Sequence, residues 1–584
     1  MRRWVVIGLL TLIAACSSNT ETDPTSSATT VSTETTTTIA TTATAPAVDL
    51  TTRPLVWLTP QPYIEISDFE GGSVDFFDSF AAGAEWERAA DRVHVFKLYD
   101  QLGLVDNPPN DDHWRQAIEG IQNRRMALAM ELGPLPTSQG CGGGEGFGGT
   151  YSLDLVRRVQ RLGGRVDVAV LQSPYGHGHF FDEFESACNW TLEKVAAETA
   201  EFARRLREVE PGVVIGGLEP LWVGLSSADF TDWLDAYEAA AGEQLAFFHL
   251  DVDWQRHDWA QVAREIETEA HARGIAFGVI YNGGVQARSD EEWAQTTVDH
   301  AYLYEQVVGG KPDHVVLQSW HVYPSHILPD NDPTTLTGLI NRYFGERTEI
   351  TARTEAGDGR LRLTGSLATV AGQPIDGGMV RIETVPLDGA PQTLVHEGTV
   401  PEGVKTAEVG IRINTEGAGP GPAAISIYEV GYFVDGNEDN QVEDPSFAGL
   451  AEFEIPGVAV APSDIGDGSM LQLTATPDEA INLGSNPFPV TPGAGYRLTV
   501  TAKVPEEFAQ AGYATVVFLD GVERARDILR LAPSAIPLAD LVTGPDGGFE
   551  VAHELTPGRH RLRFVYRGDL DHWPAHLEQT FPGE

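Results

Sequence analysis

The chain has 584 residues, 42% of them hydrophobic and 9% aromatic, which supplies several globular cores of roughly 150 residues each and excludes wholesale disorder. Acidic side chains outnumber basic ones 85 to 39, a formal charge of −46 that repels phosphate backbones and excludes a nucleic-acid partner. With three cysteines the chain is neither a disulfide-built scaffold nor a cysteine-ligated zinc module.

At the N-terminus, Arg2 and Arg3 precede an apolar run from Trp4 to Ala15 that is too short to span a bilayer permanently. The stretch Leu12-Ile13-Ala14-Ala15-Cys16-Ser17 resembles a bacterial lipobox. That resemblance implies cleavage before Cys16 and a lipid on its sulfur, making residues 1–16 a lipoprotein signal peptide. The alternative is an ordinary secretory peptide with an incidental cysteine. Residues 17–50 are rich in Ser and Thr and poor in large apolar side chains, so they are expected to form a disordered tether. The expected location is the bacterial cell surface, with membrane contact only through the N-terminal lipid.

Residues 51–346 alternate short apolar runs with amphipathic stretches. The runs are Leu55–Pro60, Arg92–Tyr99, Met126–Leu132, Val166–Ser173, Val213–Glu219, Leu245–Trp254, Ile275–Asn282 and His314–His321. Continuous apolar strands separated by helical segments predict a parallel sheet covered by helices, and eight such units fit an α/β fold of the (β/α)8 TIM-barrel kind. A doubly wound open sheet would bring a glycine-rich turn after the first strand. That position reads Thr59-Pro60-Gln61-Pro62, which favours the barrel.

Barrel chemistry gathers where strands end and the following loops begin. Those ends carry Gln61 and Tyr63, Lys97 and Tyr99, Glu131, Gln172 and Ser173, Glu219 and Trp222, His249, Asp251, Asp253 and Trp254, Tyr281 and Asn282, and Gln318, Trp320 and His321. Carboxylates and amides hydrogen-bond sugar hydroxyls, and aromatic rings stack on the apolar faces of sugar rings. A pair of carboxylates can protonate a glycosidic oxygen and attack, or activate water against, the anomeric carbon.

On these strand ends the segment resembles a glycoside-hydrolase-type barrel, nearest in style to the large retaining group with catalytic glutamates on strands four and seven. The resemblance implies a carbohydrate substrate and a pair of catalytic carboxylates. It departs from that group's Asn-Glu-Pro on strand four, which here reads Gln172-Ser173-Pro174, and from its acid on strand seven, which here reads Tyr281-Asn282-Gly283. A Glu-Pro pair stands one strand later, as Glu219-Pro220.

Glu219 closes an apolar strand, which would raise its pKa and suit a proton donor. The plainer reading is a glutamate that caps a neighbouring segment or pairs with Lys97 or an arginine. Glu131, or failing that Asp251, is the expected nucleophile or base, with Asp253 two residues on along the same strand. The remaining strand-end residues, Tyr63, Lys97, Tyr99, Gln172, Trp222, His249, Trp254, Tyr281, Asn282, Gln318, Trp320 and His321, are expected to bind sugar. His249-x-Asp251-x-Asp253 could hold a metal, but that spacing is common by chance, and no metal or cofactor is expected. A non-catalytic carbohydrate-binding or structural surface protein is the alternative to an enzyme.

Cys141 and Cys188 fall in the loops after strands three and four, so export would let a disulfide staple the two loops over the mouth. The glycine-rich stretch Gly140–Gly149 lacks a phosphate-loop ending, and His177 and His179 are expected on a rim loop.

Beyond Thr351 short alternating runs and Gly, Pro and Asp turns predict all-β sandwiches. Gly365–Glu383 resembles an immunoglobulin- or transthyretin-like domain, here drawn as 350–436. Asn440–Asp571 is similar in pattern to jelly-roll carbohydrate-binding modules, drawn as 437–584. Asp435-Gly436-Asn437-Glu438-Asp439 lacks a full calcium-loop pattern and reads as an acidic turn.

Overall fold

The computed structural model describes residues 50–582, apart from 67–68, 100–109, 138–144, 181–187, 223, 255, 257, 358–359, 387–391, 415–422, 435–438, 443–457, 463–468, 476–479, 505–511, 521–522, 532–534 and 555–558. The expected signal peptide, Cys16 and the tether up to residue 49 therefore lie outside the described residues, as do Cys141 and most of the acidic turn at 435–439. The chain divides into two compact units, residues 1–345 and 346–584.

The first unit is a closed barrel of eight parallel strands. In chain order they are β1 (Leu55–Thr59), β2 (Val95–Leu98), β3 (Ala127–Leu132), β4 (Val168–Gln172), β5 (Val214–Leu221), β6 (Phe247–Val252), β7 (Ala276–Tyr281) and β8 (His314–Gln318). Seven lie within the apolar runs read from the sequence, β5 extends two residues past the run Val213–Glu219 to Leu221, and β1 closes the ring by pairing with both β8 and β2. The strands follow one another around the ring in chain order, as consecutive β-α-β crossovers require.

The helices between them are α1 (Glu87–Ala90), α2 (Asp111–Asn123), α3 (Thr150–Arg161), α4 (Leu192–Val209), α5 (Ser227–Ala241), α6 (Trp259–Arg273), α7 (Asp290–Tyr302) and α8 (Leu336–Tyr343). Their starts are set by local side chains that satisfy free backbone amides. Asn110, Thr191, Ser289 and Thr335 accept from amides in the first turns of α2, α4, α7 and α8, and Ser226 with Asp229 forms a capping box on α5. Gly242 and Gly274 end α5 and α6 in the left-handed conformation.

Alternate residues of the strands fill the barrel interior: Leu55 and Trp57, Val95, Ala127 and Ala129, Val168 and Val170, Leu218, Phe247, Ile280 and Val316 form one buried cluster. That alternation decides which strand-end residues can face the mouth.

The second unit is all β and consists of two pairs of antiparallel sheets. One pair joins Thr348–Gly357, Arg360–Thr369 and Gly548–His553 with Ile536–Val542, Met379–Pro386, Arg559–Tyr566 and Ala575–Pro582 around a core of Leu363, Leu367, Ile382, Leu562 and Phe564. The other pair is built from strands between Gln392 and Arg530 around Ile427, Tyr432, Leu471, Leu498, Val500 and Phe518. The second module is thus inserted into the first, between Met379–Pro386 and Ile536–Val542, which pair directly with each other. The expected division at 436–437 is corrected accordingly: it would cut the inserted module between Ala423–Val434 and Val458–Pro462, which belong to one sheet.

Candidate active site

Continuing the inward alternation past the apolar cluster, by one step on seven strands and by two on β6 (through His249), gives the layer at the barrel mouth: Thr59, Lys97, Glu131, Gln172, Pro220, Asp251, Asn282 and Gln318. Seven of these eight positions are polar, where the layer beneath is almost wholly apolar.

Lys97 and Glu131, on adjacent strands, form a direct ion pair with the ammonium fully buried and the carboxylate 5% exposed. The same Nζ donates to Gln318 Oε1 at 2.9 Å and lies 5.5 Å from the centre of the Tyr99 ring. Tyr99 donates its hydroxyl to the Ser319 carbonyl at 2.9 Å. Burial, followed by the charges of Glu131, Asp251 and Glu145, holds that phenol well above its ordinary range. Asp251 is pushed up to about 7 by burial and by Glu145, Glu131 and Asp253, against the pull of Lys97. Lys97, Tyr99, Glu131, Asp251 and Gln318 are therefore brought together, with Asp253 beside Asp251.

Glu219 is not part of this group, which corrects the expectation for the proton donor. It pairs in register with Leu250, whereas its neighbour Leu218 pairs with the inward His249 and Gln172. Its side chain consequently leaves the barrel on the outer face. There Oε1 and Oε2 accept the amides of Tyr175 and Gly176, each at 2.9 Å, at the start of the π-helical turn Gly176–Phe180. Burial pushes Glu219 up to about 8, against these two donors. This is the capping alternative, realised in full burial. Tyr281 faces outward as well and donates to Glu305 at 3.1 Å.

His249 points inward one layer below the mouth. Its Nε2 lies 2.9 Å from His314 Nδ1, and its ring packs edge-on against Trp57 at 4.7 Å. Burial holds both imidazoles in the neutral form, with His314 lowered to about 3, so this pair is a core feature and does not contact sugar from the mouth. Trp254 donates to Asn282 Oδ1 at 2.6 Å and stacks on His300 at 3.6 Å, forming a rim cluster after β6 and β7. Trp222 meets the edge of His177 at 5.1 Å on the rim after β5 and β4. Tyr63, Trp320 and His321 are half-buried beyond β1 and β8, and Gln172 is buried at the end of β4.

Sequence reasoning missed Glu145. It comes from the loop after β3, and its Oε2 lies 3.1 Å from His177 Nε2. Gly146 seats this loop on the end of β4: it has φ +80, and a Cβ there would come 3.1 Å from the Ser173 carbonyl. Glu145 is the only charged residue in the stretch Gly140–Gly149, and a lone carboxylate among glycines was the available signal. Cys188, on the next loop, is disulfide-bonded.

Among the described residues no group of three or more His, Cys, Asp or Glu side chains has metal-holding geometry, and no helix is long and apolar enough to cross a membrane.

No sequence-family profile and no curated protein matches the chain. Among solved structures, the α-L-arabinofuranosidase of Thermotoga maritima in complex with arabinose is similar over 77% of this chain and 97% of its own, at 11% identity and a TM-score of 0.30. The endo-1,4-β-mannanase of Eisenia fetida is similar over 50% of this chain and 91% of its own, at 12% identity and 0.29. The type I 3-dehydroquinate dehydratase of Clostridium difficile is similar over 50% and 92%, at 12% identity and 0.27. The closed eight-stranded barrel is shown by its own strand pairing.

Proposed function

We propose that the protein is a glycoside hydrolase whose reacting carboxyl groups are Glu131 and Asp251. The observation that carries this reading is that one mouth holds two carboxyl groups in opposite electrostatic settings. Glu131 is ion-paired with the buried Lys97 ammonium, while Asp251, with no such partner among the described residues, is raised to about 7 by burial and neighbouring carboxylates. A division of this kind separates a nucleophile or base from a proton donor. Asp251 would protonate the departing glycosidic oxygen while Glu131 attacks the anomeric carbon or activates water against it. Gln318, bound to the same ammonium, would fix the orientation of Lys97 and so of Glu131. The half-buried Trp222, Trp254 and Trp320 would supply platforms for sugar rings.

The lipobox-like run at Cys16 supports a second part of the reading, a chain held at the bacterial surface by its N-terminal lipid. Cys141 remains the proposed partner of Cys188, joining the loops after β3 and β4.

Purified protein screened on aryl glycosides and polysaccharides tests the catalytic reading. Glu131→Gln and Asp251→Asn should each lower turnover by about 10²–10⁴ on any accepted substrate. Full activity in both would show that other groups react, and sugar binding without turnover on a broad panel would favour the non-catalytic binding protein.

A further inference from the structure

The closed ring fixes which strand ends face one another across the mouth. From β5 to β8 the ring passes only β6 and β7 in one direction, and β4, β3, β2 and β1 in the other. A line from the end of β5 to the end of β8 therefore leaves Asp251, on β6, on one side and Glu131, on β3, on the other. Trp222 follows β5 directly, and Trp320 stands two residues beyond β8.

Both tryptophans are held beside the mouth layer by specific contacts. A Cβ on Gly176 would come 2.9 Å from Pro220 Cγ and 3.3 Å from Trp222 Cη2. The bare glycine thus lets the Trp222 ring lie close to Pro220, the one apolar member of that layer, with the His177 ring perpendicular to it at 5.1 Å. Across the mouth, Ser319 is pinned three ways. Its amide donates to the Thr59 carbonyl at 2.9 Å, its hydroxyl accepts the Gln61 amide at 3.1 Å, and its carbonyl accepts the Tyr99 hydroxyl at 2.9 Å. Trp320 is the next residue and is half-buried. Among the described residues the only ring against it is His321, nearly perpendicular at 5.8 Å, and its Nε1 donates to no acceptor. An indole with no ring stacked on it and an unpaired N–H suits a sugar, whose C–H face stacks while a hydroxyl accepts. Next to it Val322 and Val74 are exposed, on loops tied by the Val74 amide and the Ser325 carbonyl at 3.0 Å, so the rim there offers further apolar surface. Asp251 is partly exposed and takes no hydrogen bond from any described residue.

We propose that the mouth takes the interior of a glycan chain, laid across it from Trp222 to Trp320, and cuts an internal linkage instead of releasing a terminal sugar. This deepens the glycosidase reading and rests on it. The two platforms follow strands three spacings apart, roughly 14 Å round the ring, which is more than one sugar covers. A single terminal sugar reaches one platform only. A chain stacked on both carries its middle linkage between Asp251 and Glu131, as protonation from one side and attack from the other require. Hydrolysis there consumes one water. The anomeric C–O bond breaks, the leaving oxygen takes the Asp251 proton, the anomeric carbon gains the hydroxyl, and the remaining proton of the water replaces the one given up.

The test incubates the whole chain with soluble mixed-linkage β-glucan, arabinoxylan, galactomannan and linear arabinan, and follows viscosity beside new reducing ends. On an accepted polymer, viscosity should collapse while few reducing ends have formed, and the products should be oligomers. Trp222→Ala and Trp320→Ala should each lower kcat/KM about tenfold on a hexamer cut from that polymer and by less on the dimer. Trp320→Phe keeps a ring and should recover most of the loss. An equal loss on hexamer and dimer overturns the two-platform track. Release of monomers with viscosity unchanged, or turnover of aryl monosaccharides alone, overturns the proposal and leaves the glycosidase reading standing. If nothing is turned over, the glycosidase reading falls. The track then stands only if one of these polymers retards the protein in affinity electrophoresis and both alanine variants weaken that retardation; otherwise it falls as well.

Discussion

Lys97 and Glu131 meet in a direct ion pair across β2 and β3, and almost none of either side chain reaches solvent. A buried pair of this kind adds little net stability, but removing one partner strands a charge in a dry site. Lys97→Met should therefore destabilise the barrel by about 3–5 kcal/mol, seen as a shift in denaturant midpoint with an unchanged slope. The double variant Lys97→Met/Glu131→Gln should recover much of that loss and remain inactive. A double variant no more stable than the single one would show that the two charges do not offset each other.

Asp251 makes a prediction about pH. Its folded value of about 7 lies above the roughly 3.9 of an exposed aspartate, so the folded state binds its proton more tightly than the unfolded chain does. Its favourable term is complete at pH below the unfolded value and fades as pH rises through 7. As the proton donor it would lose function over the same upper window. kcat/KM should accordingly fall through a limb near pH 7, and Glu145→Gln, removing a carboxylate that raises Asp251, should move that limb to lower pH. A limb that stays in place in Glu145→Gln would exclude this coupling.

Glu219 should matter for folding and not for the chemical step. Glu219→Ala removes the acceptor of two buried amides and should destabilise the protein by about 1–3 kcal/mol or more. The folded fraction should keep kcat within a few fold of wild type, in contrast to Glu131→Gln. A loss of several hundredfold in kcat by a well-folded Glu219 variant would return this residue to the reaction.

The contrast between these two glutamates marks how far the sequence could be read. All eight strands were legible because parallel strands buried on both faces are continuous apolar runs. Their ends were not equally legible, because the facing of a strand-end residue depends on its phase relative to the barrel axis. Glu131 follows the inward Ala127 and Ala129, while Glu219 follows the inward Leu218 by one residue and faces out. Apolar flanks identified Glu219 as a costly buried acid and could not name the amides of Tyr175 and Gly176 as its partners. Glu145 was hidden for another reason: it reaches the mouth only because Gly146 packs on the end of β4, a contact the local sequence does not encode.

The same limit applies to the β modules, where the pairing of Thr384 with Ile536 spans the whole inserted sandwich. Because Met379–Pro386 and Ile536–Val542 already form an antiparallel pair, the insert replaces what would be the turn of a hairpin. The two modules also have separate cores with no residue in common. Replacing residues 387–535 by a short Asn-Gly turn should leave the barrel and the outer sandwich folded. Calorimetry of the shortened chain should lose an unfolding transition, and protease digestion should leave a stable fragment containing both Arg360–Thr369 and Gly548–His553. Rapid degradation of every segment beyond Glu346 would show instead that the outer sandwich depends on its insert.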